Sequence, residues 1–433
     1  MKKFMQEGRR VFVGRKLKAS VFFLMLLFIL LSGPMLSGQS FERRVDDITS
    51  RTWLKIGPFR IIPSFEFRNL GWTSNVYGRT SGEGAVSDFL ITPSAKVDVY
   101  FILRRRLILS FTENLEYHFY LTNPRFNRFN NNYGTELSFP FLGQLVITAG
   151  FDSQRYRHLP LAELDRQVET DSKRVRVDIA YETPRRLSWT LGGFAQELGY
   201  VDVFREDEEP DELSLGWNRQ EVGGRFEVRY EAFRASQLFF QLGYVRHSFL
   251  SERTTWRDSE TESLLAGIRF PREGALSGSL ALGFKIFTPL DRSLEPFSGL
   301  TAQSQLEIRL GTHTALSLGY NRGTDFSYWE NLLYYLSDSY NAAFTWGLSR
   351  FLDVRLGGFY TFLRYPKTAQ YGALELTGPP PGWADNYGGF SAGFTVPVWK
   401  NLRAGLTYQY WTRPSGFSGA GDGHLLSVSF QRR

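Results

Sequence analysis

From Phe390 to Trp411, apolar side chains fall on every second position. They run Phe390, Ala392, Phe394, Val396 and Val398, then, past Trp399-Lys400-Asn401, Leu402, Ala404, Leu406, Tyr408 and Tyr410. The residues between are small or polar, among them Ser391, Gly393, Thr395, Arg403, Gly405, Thr407 and Gln409. A period of two with one apolar face predicts β-strands, and two such runs joined by a tight turn predict a hairpin. Each arm has about the 9–11 residues with which a tilted strand crosses a bilayer.

The unit repeats along the chain. Tight turns are expected at 104–106, 142–144, 183–186, 233–237, 271–275, 311–315, 349–351 and 399–401. Each is followed at once by a leucine: Leu107, Leu145, Leu187, Leu238, Leu276, Leu316, Leu352 and Leu402, spaced by 36 to 51 residues on subtraction. The same face continues outward from them, as in Leu145-Ile147-Ala149-Phe151 and Leu238-Phe240-Leu242-Tyr244. The entering strands mirror it, as in Val97-Val99-Phe101-Leu103 and Val175-Val177-Ile179-Tyr181. Long polar connections are expected on the other side, at 77–87, 123–132, 159–171, 204–216, 251–260, 289–297, 325–331, 366–385 and 414–421.

Nine long loops and eight tight turns make eighteen strands. Sixteen is the alternative, because 289–297 and 325–334 are weakly patterned. An even count, long loops on one side and short turns on the other predict an all-β transmembrane antiparallel β-barrel, closed so that every backbone group is bonded in lipid. A β-propeller repeats at a similar interval but places four short strands in each repeat, against two long ones here. The domains read as a signal peptide at 1–40, a periplasmic lead-in without clear period at 41–56, and the barrel at 57–433; no helical domain is expected.

The leader changes the charge picture. Lys2, Lys3, Arg9, Arg10, Arg15, Lys16 and Lys18 precede the apolar run Val21–Leu31, and small residues lead to Ser40, the pattern of a secretory signal. A single membrane anchor is the alternative, but the apolar run is shorter than the ~20 residues a spanning helix needs. Seven basic residues against Glu7 give the leader +6 of the chain's +7, leaving about +1 for the rest. A basic surface for nucleic acid therefore has no support. Zero cysteines exclude disulfides, thiolate metal sites and a cysteine nucleophile.

If the apolar set faces lipid, the alternate set faces a lumen. The lumen-lining candidates are Arg60, Arg68, Asp98, Arg174, Arg176, Asp178, Arg225, Glu227, Arg229, Glu307, Arg309, Asp353, Arg355 and Arg403. Charges this dense cannot face hydrocarbon, where an Arg or Lys at mid-depth costs about 2–4 kcal/mol. They either select solutes, as charged rings do in channels, or pair off and stabilise a polar interior. The 158–167 segment could fold inward and narrow the pore, with Glu163 and Asp165 as constriction candidates; an exposed loop is the alternative. The acidic run Glu206–Glu212 could hold a divalent cation, but its spacing fits no calcium loop and a solvated charge run is the plainer reading. Trp329, Tyr334, Tyr335 and Trp383 fit an aromatic girdle, or alternatively a sugar-stacking platform. The five histidines show no metal spacing, so neither catalytic residues, metal nor cofactor is expected.

At the start of the barrel, Gly57-Pro58-Phe59-Arg60-Ile61-Ile62-Pro63 leads through Gly71 to Asn75-Val76-Tyr77. This stretch resembles the opening strand of a family of outer-membrane β-barrel porins, often linked to exopolysaccharide gene clusters. An aspartate commonly precedes that asparagine in the family; here Ser74 does. The resemblance implies an outer-membrane pore of a Gram-negative bacterium, passing a hydrophilic solute, with exopolysaccharide export as one form. A scaffold barrel with a closed lumen and an outer-membrane hydrolase are the alternatives. Expected partners are outer-membrane lipid and lipopolysaccharide, the barrel-assembly machinery and periplasmic export proteins, with no nucleic acid.

Overall fold

A computed structural model describes residues 39–76, 86–141, 144–158, 168–183, 186–202, 216–233, 236–271, 274–327, 329, 332–349, 351–366, 382–399, 402–416 and 419–432. Helix α1 (Gln39–Arg51) and a short strand β1 (Leu54–Ile56) precede eighteen long strands. These are β2 (Phe59–Thr73), β3 (Asp88–Leu103), β4 (Leu107–Tyr120), β5 (Arg128–Phe141), β6 (Leu145–His158), β7 (Val168–Glu182), β8 (Leu187–Asp202), β9 (Arg219–Phe233) and β10 (Ser236–Phe249). They continue with β11 (Ser259–Phe270), β12 (Leu276–Pro289), β13 (Phe297–Arg309), β14 (Thr314–Phe326), β15 (Tyr334–Ser349), β16 (Leu352–Arg364), β17 (Ala384–Trp399), β18 (Leu402–Gly416) and β19 (Gly419–Arg432). Every strand from β2 to β19 pairs antiparallel with its chain neighbours, and β19 pairs back onto β2, so the barrel closes. The expected strand number holds, and each expected tight turn falls between two paired strands, although 142–143, 184–185, 234–235, 272–273, 350 and 400–401 lie outside the described residues. Six of the eight returning strands begin on the repeating leucine itself, β10 and β14 two residues before it.

Three connections differ from expectation; in the segment expected as loop at 159–171, residues 168–171 belong to β7, paired with 155–158 of β6. Residues 128–132 belong to β5, because Asn130 and Asn132 pair with Glu116 and Asn114 across the barrel wall. The segment 414–421 is no long loop: β18 runs to Gly416 and β19 starts at Gly419, with a register shift between Arg413 and Gly416 absorbing Pro414. A proline lacks the N–H a ladder needs, so an irregularity at that point is the physical solution.

Cross-strand register gives the barrel two chemically distinct faces. Residues such as Leu109↔Leu137, Ile147↔Ile179 and Leu242↔Leu264 share one face. Its side chains stand exposed: Leu282 and Leu300 are 71% and 72% accessible. Exposed apolar side chains on so large a scale are stable only against lipid. The opposite face carries the charges, and there side chains from next-but-one strands meet: Arg176 on β7 reaches Glu136 on β5, and Arg225 on β9 reaches Asp178 on β7. Only the concave side of a closed sheet brings such residues together, so this face is the interior.

The seam between β2 and β19 explains the motif singled out at the start of the barrel. A Cβ on Gly71 would lie 1.9 Å from the Leu426 carbonyl oxygen, so the seam requires glycine there. Beyond the strand end the zipper continues: Ser74 N–H donates to the His424 carbonyl (2.9 Å), His424 N–H to Ser74 Oγ (2.8 Å), and Asn75 Nδ2 to the Asp422 carbonyl (3.1 Å). Ser74 thus does work with a hydroxyl at the position where the family commonly has a carboxylate. Val76 is buried with Leu90, Tyr120 and Phe126.

The turn between β3 and β4 is tight and strained. Arg104 and Arg105 have φ of 45° and 55°, and Arg106 N–H closes the turn on the Leu103 carbonyl at 2.8 Å. Hairpins with two left-handed residues favour Asn-Gly: most residues with a Cβ cost about 1–2 kcal/mol there, and Asn costs less because its short polar side chain bonds locally. Arg104→Asn is expected to stabilise the folded barrel by ~1 kcal/mol, read as a higher urea midpoint at unchanged slope. A lower midpoint would mean that Arg104 makes a compensating contact.

The lead-in differs most from expectation. Instead of an unpatterned segment, residues Gln39–Arg51 form α1. Phe41, Val45 and Ile48 lie at i, i+4 and i+7 and make one apolar stripe, while Glu42 opens the helix and Arg51 ends it in the sense the helix dipole favours. Thr49 and Thr52 hydroxyls bond back to the Val45 and Ile48 carbonyls (2.7 and 2.8 Å).

Candidate functional site: the lumen and the helix inside it

The helix docks on the interior face. Phe41, Val45 and Ile48 are buried with Ile108, against Tyr100, Ile102 and Val146, all of them on the lumenal register of β3, β4 and β6. Arg44 donates to Ser138 Oγ (3.1 Å) and pairs with Glu136, which also receives Arg176 at 2.6 Å. Asp46 pairs with Arg105 of the tight turn. The helix therefore lies inside the short-turn end of the barrel. It starts two residues before the expected cleavage point after Ser40; the rest of the leader lies outside the described residues.

The lumen-lining candidates fall on the interior register, and most of them pair. Arg68 bridges Glu66 and Glu116 (2.6 Å to the latter), Asp98 meets Lys96 at 3.0 Å, and Arg225 meets Asp178 at 3.2 Å. Glu227 receives Arg229 and, at 3.6 Å, Arg269. Arg309 meets Glu307 at 3.0 Å, and Arg403 pairs with Asp353 from two strands away. Arg174 stacks over the Phe194 ring at 4.3 Å. Arg355 stands opposite Thr345 and Gly393 on the same face. Arg60 differs: its guanidinium turns back to the Gly57 and Phe59 carbonyls (2.7 and 2.9 Å) at the rim. Glu163 and Asp165, and the acidic run at 206–212, lie outside the described residues.

These charges are not spread evenly. They run the length of β2–β9, whereas on β11–β18 they sit toward the strand ends: Arg269, Glu307, Arg309, Asp353, Arg355 and Arg403 near the short turns, Lys285, Asp325, Asp385 and Arg413 near the long loops. The interior register of β11–β18 is instead rich in amides and hydroxyls: Ser263, Gln303, Asn321, Asn341, Ser391 and Gln409 stand on neighbouring strands there. At mid-depth a charged wall thus faces a neutral hydrogen-bonding one.

Near the long-loop end the two walls converge on a cavity of about 540 Å³ that sequence reasoning missed. Tyr200, Trp217, Phe326, Tyr335 and Tyr387 supply its aromatic lining, and Arg219, Glu221, His247, Lys285 and Asp325 its charge. Glu221 is the hub, meeting Arg219 Nε at 2.8 Å and His247 Nδ1 at 3.2 Å. Arg219 also lies 5.2 Å from the Phe326 ring centre, and Lys285 donates to the Thr324 carbonyl at 2.9 Å. Buried Arg257 donates to the Ser327 and Trp329 carbonyls, tying the 250–258 loop to the segment after β14. The available signal was Arg219-x-Glu221, which resumes the charged alternation of Arg225–Glu231 on the far side of Gly223. Tyr334 and Tyr335 correct the girdle reading: both are buried, and Tyr335 faces this cavity rather than lipid.

Among the described residues no cluster of His, Asp and Glu has metal-holding geometry. No described helix is long and apolar enough to cross a membrane, which leaves the strands as the spanning elements.

A closed barrel with an apolar outer belt and a charged, hydrogen-bonding interior defines a transmembrane β-barrel of the pore-forming kind. A family model described as Putative beta-barrel porin 2 matches residues 53–422, and the chain belongs to that family. No curated protein matches the sequence. Among solved structures, OccK3 (OpdO) of Pseudomonas aeruginosa is similar at 12% identity over 86% of this chain and 95% of that one, with a TM-score of 0.47. The FrpB iron transporter of Neisseria meningitidis is similar at 11% identity and a TM-score of 0.47 over 85% of this chain, which spans 63% of that protein's length.

Proposed function

We propose that the protein is a Gram-negative outer-membrane pore that passes a neutral or weakly charged hydrophilic solute, a saccharide chain above all. The observation that carries this reading is the neutral wall of β11–β18 leading to the aromatic-lined cavity. Amides and hydroxyls match sugar hydroxyls along the path, while Tyr200, Trp217 and Tyr387 offer faces for sugar rings. Export of an exopolysaccharide delivered by periplasmic proteins fits the same path. The docked α1 favours a second state, a pore narrowed at its periplasmic end until the helix moves.

Single-channel recording of refolded Phe41–Arg433 in planar bilayers tests this. Steady conductance steps are expected, together with reversible block by neutral oligosaccharides that strengthens with chain length. Polyethylene glycol of equal size is expected to block more weakly. Silence from a folded, heat-modifiable barrel would overturn the pore reading; equal block by both polymers would remove the saccharide.

A further inference from the structure

The outer wall carries a charge cluster that the pore does not use. On the lipid-facing register near the long-loop end, Asp338 of β15 is buried between Arg322 of β14 and Arg364 of β16. Arg322 Nη1 lies 3.6 Å from Asp338 Oδ1, Arg364 pairs with Oδ2, and the Tyr320 hydroxyl donates to Oδ1 at 2.7 Å. Directly below, Tyr320, Tyr340 and Tyr360 stand opposite one another on the three neighbouring strands. Further toward the turns the same face is apolar, with Leu318, Phe344 and Leu356. The tyrosine row thus marks the edge of the hydrocarbon, and the arginines sit one step above it, where a cation costs little.

Two guanidiniums share a single carboxylate, so the cluster carries an excess positive charge. By contrast, Arg155 on β6 balances Glu169 on β7 at 2.6 Å. Asp338 uses only part of each donor fork. Arg322 and Arg364 keep 35% and 41% of their side chains accessible; the Nε of each is buried, so the N–H groups open to a ligand are those of the outward Nη atoms. A planar fork with free N–H groups at headgroup depth matches a phosphate better than any neutral group does.

We propose that Arg322 and Arg364, positioned by Asp338, bind a phosphate on the headgroup of an outer-leaflet glycolipid, lipopolysaccharide. The proposal rests on the outer-membrane reading but not on an open pore, and conductance is expected to be indifferent to it.

Native mass spectrometry of the folded chain in detergent, titrated with diphosphoryl lipid A, with the same lipid stripped of phosphate and with inorganic phosphate, tests it. The diphosphoryl lipid is expected to bind at least about tenfold more tightly than the stripped lipid. R322Q/R364Q should lose that preference while keeping heat-modifiable mobility, and Arg155→Gln should retain it. Should the double variant not fold, Arg364→Gln alone, which leaves Asp338 its other two partners, carries the same comparison. Equal affinity for both lipids, a preference that survives in the variants, or displacement of lipid by inorganic phosphate at similar concentration would each overturn the proposal.

Discussion

Ile48→Asp will release α1 from the lumen wall and enlarge single-channel conductance while the barrel stays folded. Ile48 is 2% exposed and packs with Phe41, Val45 and Ile108 against the lumenal side chains of β3, β4 and β6. A thirteen-residue helix is marginal in water, so α1 depends on this docking. An unpaired carboxylate in an apolar contact, with the lost isoleucine packing, costs ~3–5 kcal/mol, more than the remaining contacts can offset. Arg44 does not rescue the helix, because it is 39% accessible and an ion pair that exposed contributes about 0–1 kcal/mol.

The size of the effect follows from geometry. Eighteen strands about 4.8 Å apart and tilted by about 40° trace a wall of ~18 Å radius, and inward side chains take ~5 Å of it. A helix of ~10–12 Å diameter then fills roughly a fifth of the opening. Conductance of the variant is expected to exceed wild type by about that fraction or more. Ile48→Val, which keeps the stripe apolar and costs only about 0.5–1.5 kcal/mol, should leave it unchanged. Equal conductance in Ile48→Asp and wild type would show that the helix lies outside the ion path.

The wall of the barrel was legible because period two, repeated eighteen times with leucine after each tight turn, has one consistent solution: slipping β9 by one residue, for example, would put Arg225, Glu227 and Arg229 into lipid. The same register brings Arg176 to Glu136 and Arg225 to Asp178 across the lumen. What sequence reasoning missed depends on contacts across the lumen rather than along a strand. His247 looks isolated in the chain; only the register that sets it against Glu221 on β9, with Arg219 two residues before, makes it part of a site. Tyr335 reads as girdle because it lies near a strand end, yet its odd position puts it on the interior register with Asp325. The helix escaped because Phe41, Val45 and Ile48 are only three apolar positions in thirteen residues, a stripe that becomes informative once a lumenal apolar patch faces it. That patch was visible as a flaw in the alternation: Tyr100, Ile102 and Ile108 are apolar or aromatic where polar residues were due.

Arg413→Ala should be the most destabilising single change on the long-loop side of the lumen, by ~3–5 kcal/mol. Asp385 is 1% exposed; it accepts from Arg413 Nε at 2.9 Å and also from Nη2, and its other oxygen accepts the Asn386 N–H at 2.7 Å. The pair links β17 to β18 at the point where the β18–β19 ladder breaks at Arg413, so side-chain bonds replace the lost backbone ones. Removing the arginine strands a carboxylate beside Leu363, which is itself fully buried. Urea unfolding of the refolded protein should show the midpoint falling sharply for Arg413→Ala. It should fall distinctly less for D385N/R413A, because the neutral amide carries no stranded charge. That ordering separates the two ways a buried pair can matter. If the double variant proves as unstable as the single one, the loss belongs to the packing of the Arg413 stem, and the carboxylate is solvated from the lumen.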